Sequence, residues 1–239
     1  MPDNRLTPRS LEIPAERVSA AEQAGGAFVL LALTWLVGIL GWLTTRRLRW
    51  LAPVLASSAV ASGILWIFRN PARQPVPNGR AVLVPNDGVV RRVAMVQETR
   101  FLHGPAMCIT IQVSARNVQV TRAPLGGTVR LRRYEPSEPG ERADQSDDAI
   151  WLGIKDADTT RVAMRQIASP LWRRVPFHWA RRILLWPDLE DALGSGQVIG
   201  HLSLGGMVEV YVPCAATIRV RTGQSVIGGE TILASLPAL

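Results

Sequence analysis

Few side chains in this sequence could move a proton near neutral pH, and each is weighed by its neighbours. The three histidines, His103, His178 and His201, stand far apart. The two cysteines, Cys108 and Cys214, lie in unrelated apolar surroundings without a Cys-x-x-Cys or Cys/His cluster. No metal site or structural disulfide is expected, and both thiols are expected to be free and buried. Asp87 stands in Asn86-Asp87-Gly88, where it could serve as a general acid or base. The same tripeptide also builds a tight turn through side-chain-to-backbone hydrogen bonds, and that reading is preferred. His103 and His201 read as exposed or hydrogen-bonded loop histidines. The rest of the charge suits binding. The net charge is +8 and Lys155 is the only lysine, so the basic charge is almost all arginine. Such a chain fits anionic phospholipid, and no motif for reading nucleic acid is present.

The elements that must position these residues fall into two sections. Ala24–Leu43 and Leu51–Ile67 are uncharged, mostly apolar runs separated by Thr44-Thr45-Arg46-Arg47-Leu48-Arg49-Trp50. Each is about long enough to cross ~30 Å of hydrocarbon as a helix, which predicts a two-helix transmembrane hairpin. Trp35, Trp42, Trp50 and Trp66 sit in or beside these runs, and those nearest the ends would lie at headgroup depth. The alternative is two buried helices of a soluble fold. A cleaved signal peptide is disfavoured by the late start of the first run and the arginines behind it. Arginines flank both runs as well as filling the connection, which predicts cytoplasmic termini and an inner-membrane location with the following domain on the cytoplasmic side.

The expected divisions are an N-terminal tail over 1–23, the membrane anchor over 24–68, a proline-rich linker over 69–80 and one β domain over 81–239. Short apolar runs predict strands at Ala81–Val84, Val89–Val96, Met107–Val113, Val118–Thr121, Thr128–Tyr134, Ile150–Ile154, Val162–Ile167, Val208–Val212 and Thr217–Val220. Two Gly-rich turn-and-strand units have the pattern of compact β domains, at Gly194–Gly200 and Gly223–Ile232. The fold class is therefore mainly β, barrel-like or sandwich. Glu135–Asp148 reads as an exposed charged loop. Trp172, Trp179 and Trp186, interleaved with Arg173, Arg174, Arg181 and Arg182, read either as a membrane-interface segment or as core tryptophans with solvated arginines.

Four blocks in order resemble the short form of the phosphatidylserine decarboxylase family. They are Phe68-Arg69-Asn70-Pro71, Pro85-Asn86-Asp87-Gly88-Val89-Val90, Asn117-Val118-Gln119-Val120-Thr121-Arg122-Ala123-Pro124, and Ile199 to Pro213 with the trailing Gly229-Glu230-Thr231-Ile232. The resemblance implies a self-processing protein: a serine hydroxyl attacks the preceding glycine carbonyl, and elimination leaves a pyruvoyl group that decarboxylates phosphatidylserine. It also implies an acid in the Asp-Gly turn and a histidine that activate that serine. Carried across, the acid is Asp87, the histidine position holds Gln119 and the serine position holds Gly206, so the cleavage junction is Gly205-Gly206. Neither Gln119 nor Gly206 can do the implied chemistry. The expectation is a chain without a pyruvoyl cofactor, uncleaved, acting as a lipid-binding or regulatory relative. Arg122, Arg173, Arg174, Arg181 and Arg182 are the expected contacts to anionic headgroups. The expected partners are membrane phospholipid and a second copy or a processed family member. The competing readings are an active decarboxylase and a structural membrane protein.

Overall fold

The computed structural model describes residues 20–46, 48–67, 69–74, 80–135, 148–158, 160–169 and 183–237. The chain divides into a helical unit that ends at Arg69 and a β-rich unit that begins at Asn70.

In the helical unit, α1 (Ala20–Thr45) and α2 (Ala52–Ile67) are joined by a 3-10 turn at Leu48–Leu51. The Thr45 hydroxyl donates back to the Gly41 carbonyl in the last turn of α1, and Arg46 at φ 53° ends the helix. Pro53 sits in the first turn of α2, where a missing N–H costs nothing. Gly38 and Gly41 allow close packing, because a β-carbon there would overlap the Val54 side chain and the Trp50 ring respectively.

The expected transmembrane hairpin is overturned: among the described residues no helix is long and apolar enough to cross a membrane. In α2, Leu51 is drawn into the 3-10 turn, leaving 16 helical residues. At 1.5 Å per residue that helix is about 24 Å long, short of ~30 Å of hydrocarbon. The apolar runs instead form a helix pair on which Leu36, Val37, Leu40, Leu55 and Val60 are exposed.

The β-rich unit contains β1 (Ala81–Leu83), β2 (Gly88–Glu98), β3 (Gly104–Val113), β4 (Val120–Arg122), β5 (Gly127–Glu135), β6 (Ala149–Lys155), β7 (Arg161–Ala168), β8 (Ile183–Leu185), β9 (Ala192–Leu193), β10 (Val198–Leu202), β11 (Gly206–Pro213), β12 (Thr217–Ile218), β13 (Ser225–Val226) and β14 (Ile232–Ser235). They form an eight-stranded sheet in the order β13-β2-β3-β11-β7-β6-β5-β9 and two three-stranded sheets, β1-β14-β12 and β4-β10-β8. The unit is mainly β, as expected. Among the described residues its large sheet ends at β13 and β9, a half-barrel and not a closed barrel.

Period-2 alternation places the core. Ile109, Ile111 and Val113 on β3, Val208, Val210 and Val212 on β11, and Ile150, Leu152 and Ile154 on β6 all enter one cluster. Each fully buried Leu or Ile there contributes about 1.5–3 kcal/mol. The intervening residues Cys108, Tyr211, Trp151 and Ala163 build a second cluster with Phe101 on the other face. The Trp151 and Tyr211 rings stack at 5.2 Å, and the Arg100 and Arg165 guanidinium groups lie over Trp151. Both faces of β6 and β7 are therefore covered, which explains their continuous burial. The turn carrying Phe101 is held by Glu98, whose carboxylate accepts the N–H groups of Arg100, Phe101 and Leu102. Burial works to raise the Glu98 pKa, but these three bonds outweigh it and hold it below the usual carboxylate value.

Candidate functional site

β11 starts at Gly206 in the middle of the large sheet. Gly206 pairs with Val113 of β3 on one side and with Ala168 of β7 on the other. The turn into it runs through Leu204 at φ 60°, Gly205 at φ 77° and Gly206 at φ 148°. A β-carbon on Gly205 would overlap the Val113 carbonyl oxygen, and one on Gly206 would overlap the Ile167 carbonyl oxygen. Glycine is required at both places by backbone conformation and by close approach.

Gln119 lies against this junction although 86 residues separate it from Gly205. It is only 2 % exposed. Its Oε1 accepts the Gly205 N–H at 2.9 Å, and its Nε2 donates to the carbonyls of Ser114, Ala115 and Asn117 at 3.2, 3.2 and 2.8 Å. The amide thus ties the 114–117 loop to the turn that leads into β11. Both ends of the amide are engaged, and a carboxamide takes up no proton near neutral pH.

Asp87 is placed differently. Its Oδ1 accepts the Gly228 N–H at 2.7 Å and its Oδ2 pairs with Arg73 Nη2 at 2.9 Å, while Arg73 also reaches Glu230 at 3.6 Å. The carboxylate fastens the linker and the 227–231 turn, and its bonds do not run to Gln119 or Gly206. Its neighbour Asn86 donates to the Val120 carbonyl and to Thr121 Oγ1, holding the strand that comes after Gln119. Gln166 completes that buried polar group by donating to Thr121 Oγ1 at 2.5 Å. The sequence does not single out Gln166. Its signal is a glutamine on the core-facing parity of a strand that otherwise presents Val162 and Met164.

Arg122, expected at a lipid headgroup, is withdrawn from the surface at 9 % exposure. Its guanidinium donates to the Gly196 carbonyl, Asn70 Oδ1 and the Pro71 carbonyl. Burial, with Arg73 adding to it, lowers its pKa. Arg122 is a clasp between the linker and the domain. Arg173, Arg174, Arg181, Arg182 and His178 lie outside the described residues, as does most of the charged loop after Glu135. Cys108 is buried and its thiol pKa is raised by burial and by Glu209, whereas Cys214 is exposed, contrary to the expectation of two buried thiols.

His103 is exposed at φ 57°, with Nδ1 2.8 Å from the Thr99 carbonyl. His201 is on β10, between Val120 of β4 and Leu184 of β8, and meets Trp186 edge-on with ring centroids 6.5 Å apart. Burial lowers its pKa from the ordinary 6.5. The unfolded chain therefore takes up this proton first as pH falls, so the contribution of His201 to stability is complete above that value and declines below it. Melting temperature should drop between about pH 7.5 and 5.5, and His201→Gln should flatten the drop in thermal melts across that window.

A cleft of about 500 Å³ opens over the junction, lined among others by Gly206, Met207, Ser114, Asn117, Arg91 and Gln112. The sequence does not single out Arg91 or Gln112. Gly206 supplies no side-chain oxygen and has no room for a β-carbon, so the residues present do not fit a pyruvoyl group formed at this position.

Residues 61–234 match the family described as phosphatidylserine decarboxylase. A phosphatidylserine decarboxylase proenzyme of Symbiobacterium thermophilum is 33% identical over 192 residues, covering 78% of this chain and 84% of that protein. One of Geotalea uraniireducens is 31% identical, covering 84% of this chain and 93% of the relative. One of Mycobacterium leprae is also 31% identical, covering 95% of this chain and 93% of the relative. No solved structure matches the chain. The match spans most of the β-rich unit, including the Asn-Asp-Gly turn, the Gln119 strand and the start of β11, and on it the chain belongs to the phosphatidylserine decarboxylase family.

Proposed function

We propose that this chain is a family member in phospholipid metabolism that remains uncleaved and works as a lipid-binding or regulatory protein, not as a decarboxylase. The observation that carries the reading is Gly206. Chain cleavage of the kind the resemblance implies needs a hydroxyl at that position, and glycine has none. Packing supports the same reading, because a β-carbon at 206 would overlap the Ile167 carbonyl. Gln119 adds to it by binding the Gly205 N–H with an amide that cannot act as a base near neutral pH.

The setting proposed is the phospholipid surface of the inner membrane. The net charge of +8 favours anionic headgroups. The exposed apolar side chains of the helix pair, among them Leu36, Leu40 and Leu55, suit a lipid interface.

Purified full-length protein on a denaturing gel should give a single band at 26.1 kDa. Two fragments meeting between residues 205 and 206 would overturn the proposal. Membranes containing only this protein should release no carbon dioxide from phosphatidylserine, and release above a protein-free control would favour a retained enzyme.

A further inference from the structure

We infer that the outer edge of β2, from Arg92 to Glu98, pairs with the same edge of a second copy of this chain, antiparallel and in a register that sets Met95 against its own copy. The two large sheets then run on as one. The pairing is independent of whether the chain is cut before Gly206.

An open edge is the first reason. β13 pairs with β2 only at Val89 and Gly88, and the last bonds from that side join Val90 to Gly223 and Gln224. Beyond Val90, β3 is the one strand beside β2 among the described residues, and it continues to Glu98. About 20 Å of strand therefore has one side of its backbone turned away from any partner strand. Prolines, lysines and bulges blunt such edges in domains that stay single. Val93–Gln97 carries none of them, since the register shift of β2 lies between Val90 and Arg92.

Symmetry and charge select the register. Two identical edges pair antiparallel only about an axis perpendicular to the sheet, which keeps each face on its own side. Val93 packs on the main core cluster and Val96 on the second, so odd and even positions lie on opposite faces, and odd must meet odd. Centring on Met95 places Arg92 of each copy opposite Glu98 of the other, an opposite-charge pair made twice, with Ala94 opposite Val96. Centring on Ala94 would put Arg92 opposite Val96, and centring on Val96 would put it opposite Arg100. Unlike charges directly opposed stabilise a sheet, and like charges destabilise it.

Apolar surface is the third reason. Met95 is 67 % exposed, more than any other large apolar side chain described in the β-rich unit. It stands opposite Met107 of β3. Across the axis the two copies bring four methionines together, and flexible thioether side chains fill such a seam readily.

The test uses the full chain with Cys214→Ser, which removes the exposed thiol. Sedimentation should show a dimer. With Met95→Cys added, mild oxidation should convert most of the chain to a disulfide-linked species of twice 26.1 kDa on a non-reducing denaturing gel, because opposed α-carbons about 4.5–5.5 Å apart suit a disulfide. Val93→Cys should not cross-link, since it faces Gln97 of the other copy and its own counterpart is out of reach. Met95→Lys sets two like charges on the axis at an exposed position, and it should raise the dimer dissociation constant tenfold or more. Its far-ultraviolet circular dichroism should match that of the parent, which separates lost pairing from lost folding. A monomeric parent, a dimer that Met95→Cys does not cross-link, equal cross-linking at 93 and 95, or a Met95→Lys dimer as tight as the parent each overturns the inference.

Discussion

Gly206→Ser is expected to lower the melting temperature by roughly 4–24 °C and still to leave the chain in one piece. The thermal part comes from geometry. Gly206 is at φ 148°, a conformation L side chains rarely adopt, and its α-carbon faces the Ile167 carbonyl too closely for a β-carbon. Strained backbone and overpacking each cost about 1–3 kcal/mol, and in a domain of this size 1 kcal/mol shifts the midpoint by about 2–4 °C. The chemical part comes from Gln119, because a restored hydroxyl would still meet a neutral amide where the family resemblance implies a base. Thermal melts and a denaturing gel read the two parts separately. An unshifted midpoint would mean that the junction has slack, and two fragments would mean that serine alone restores processing.

Gln119→Ala should cost about 2–4 kcal/mol of unfolding free energy, read by denaturant titration with an unchanged slope. The substitution strips a buried N–H, that of Gly205, of its acceptor and takes the donor from three carbonyls of the 114–117 loop. An orphaned buried donor is the expensive part. Gln119→His should fall between wild type and alanine, because a neutral imidazole offers one donor and one acceptor. A loss under about 0.5 kcal/mol for alanine would show that the amide is a passive occupant.

Much of the domain's strand content is legible in the sequence because half-buried strands write their period into it. Met107–Val113 and Val208–Val212 fall inside β3 and β11, which alternate between the two clusters. Two physical kinds of feature escape such reading. The first is very short strands: β8, β9 and β13 have three, two and two residues, too few for any period to show. The second is burial imposed from a distance. Arg122 reads as a surface cation until its partners at Asn70, Pro71 and Gly196 are brought in from elsewhere in the chain.

The helical unit shows the opposite error. Two apolar runs of near-spanning length read as a membrane hairpin, yet hydropathy does not report that Leu48–Leu51 coils as a 3-10 turn and shortens the second helix. At the candidate site, the proximity of Gln119 to Gly205 is reachable from sequence only through family resemblance. The register shift between β2 and β3 that leaves Arg91 without a partner opposite it depends on strand pairing, which no local pattern announces.

The central place of β11 also bears on how such a protein could drift in evolution. β11 is laddered along its whole length to β3 and along six residues to β7, so the strand that begins at Gly206 is locked into the sheet whether or not the chain is severed before it. The backbone ladder that holds β11 therefore does not depend on a cut before it. Mutations that abolish the cut leave the hydrogen-bond ladder intact, and selection on the scaffold can continue after selection on the chemistry has ended.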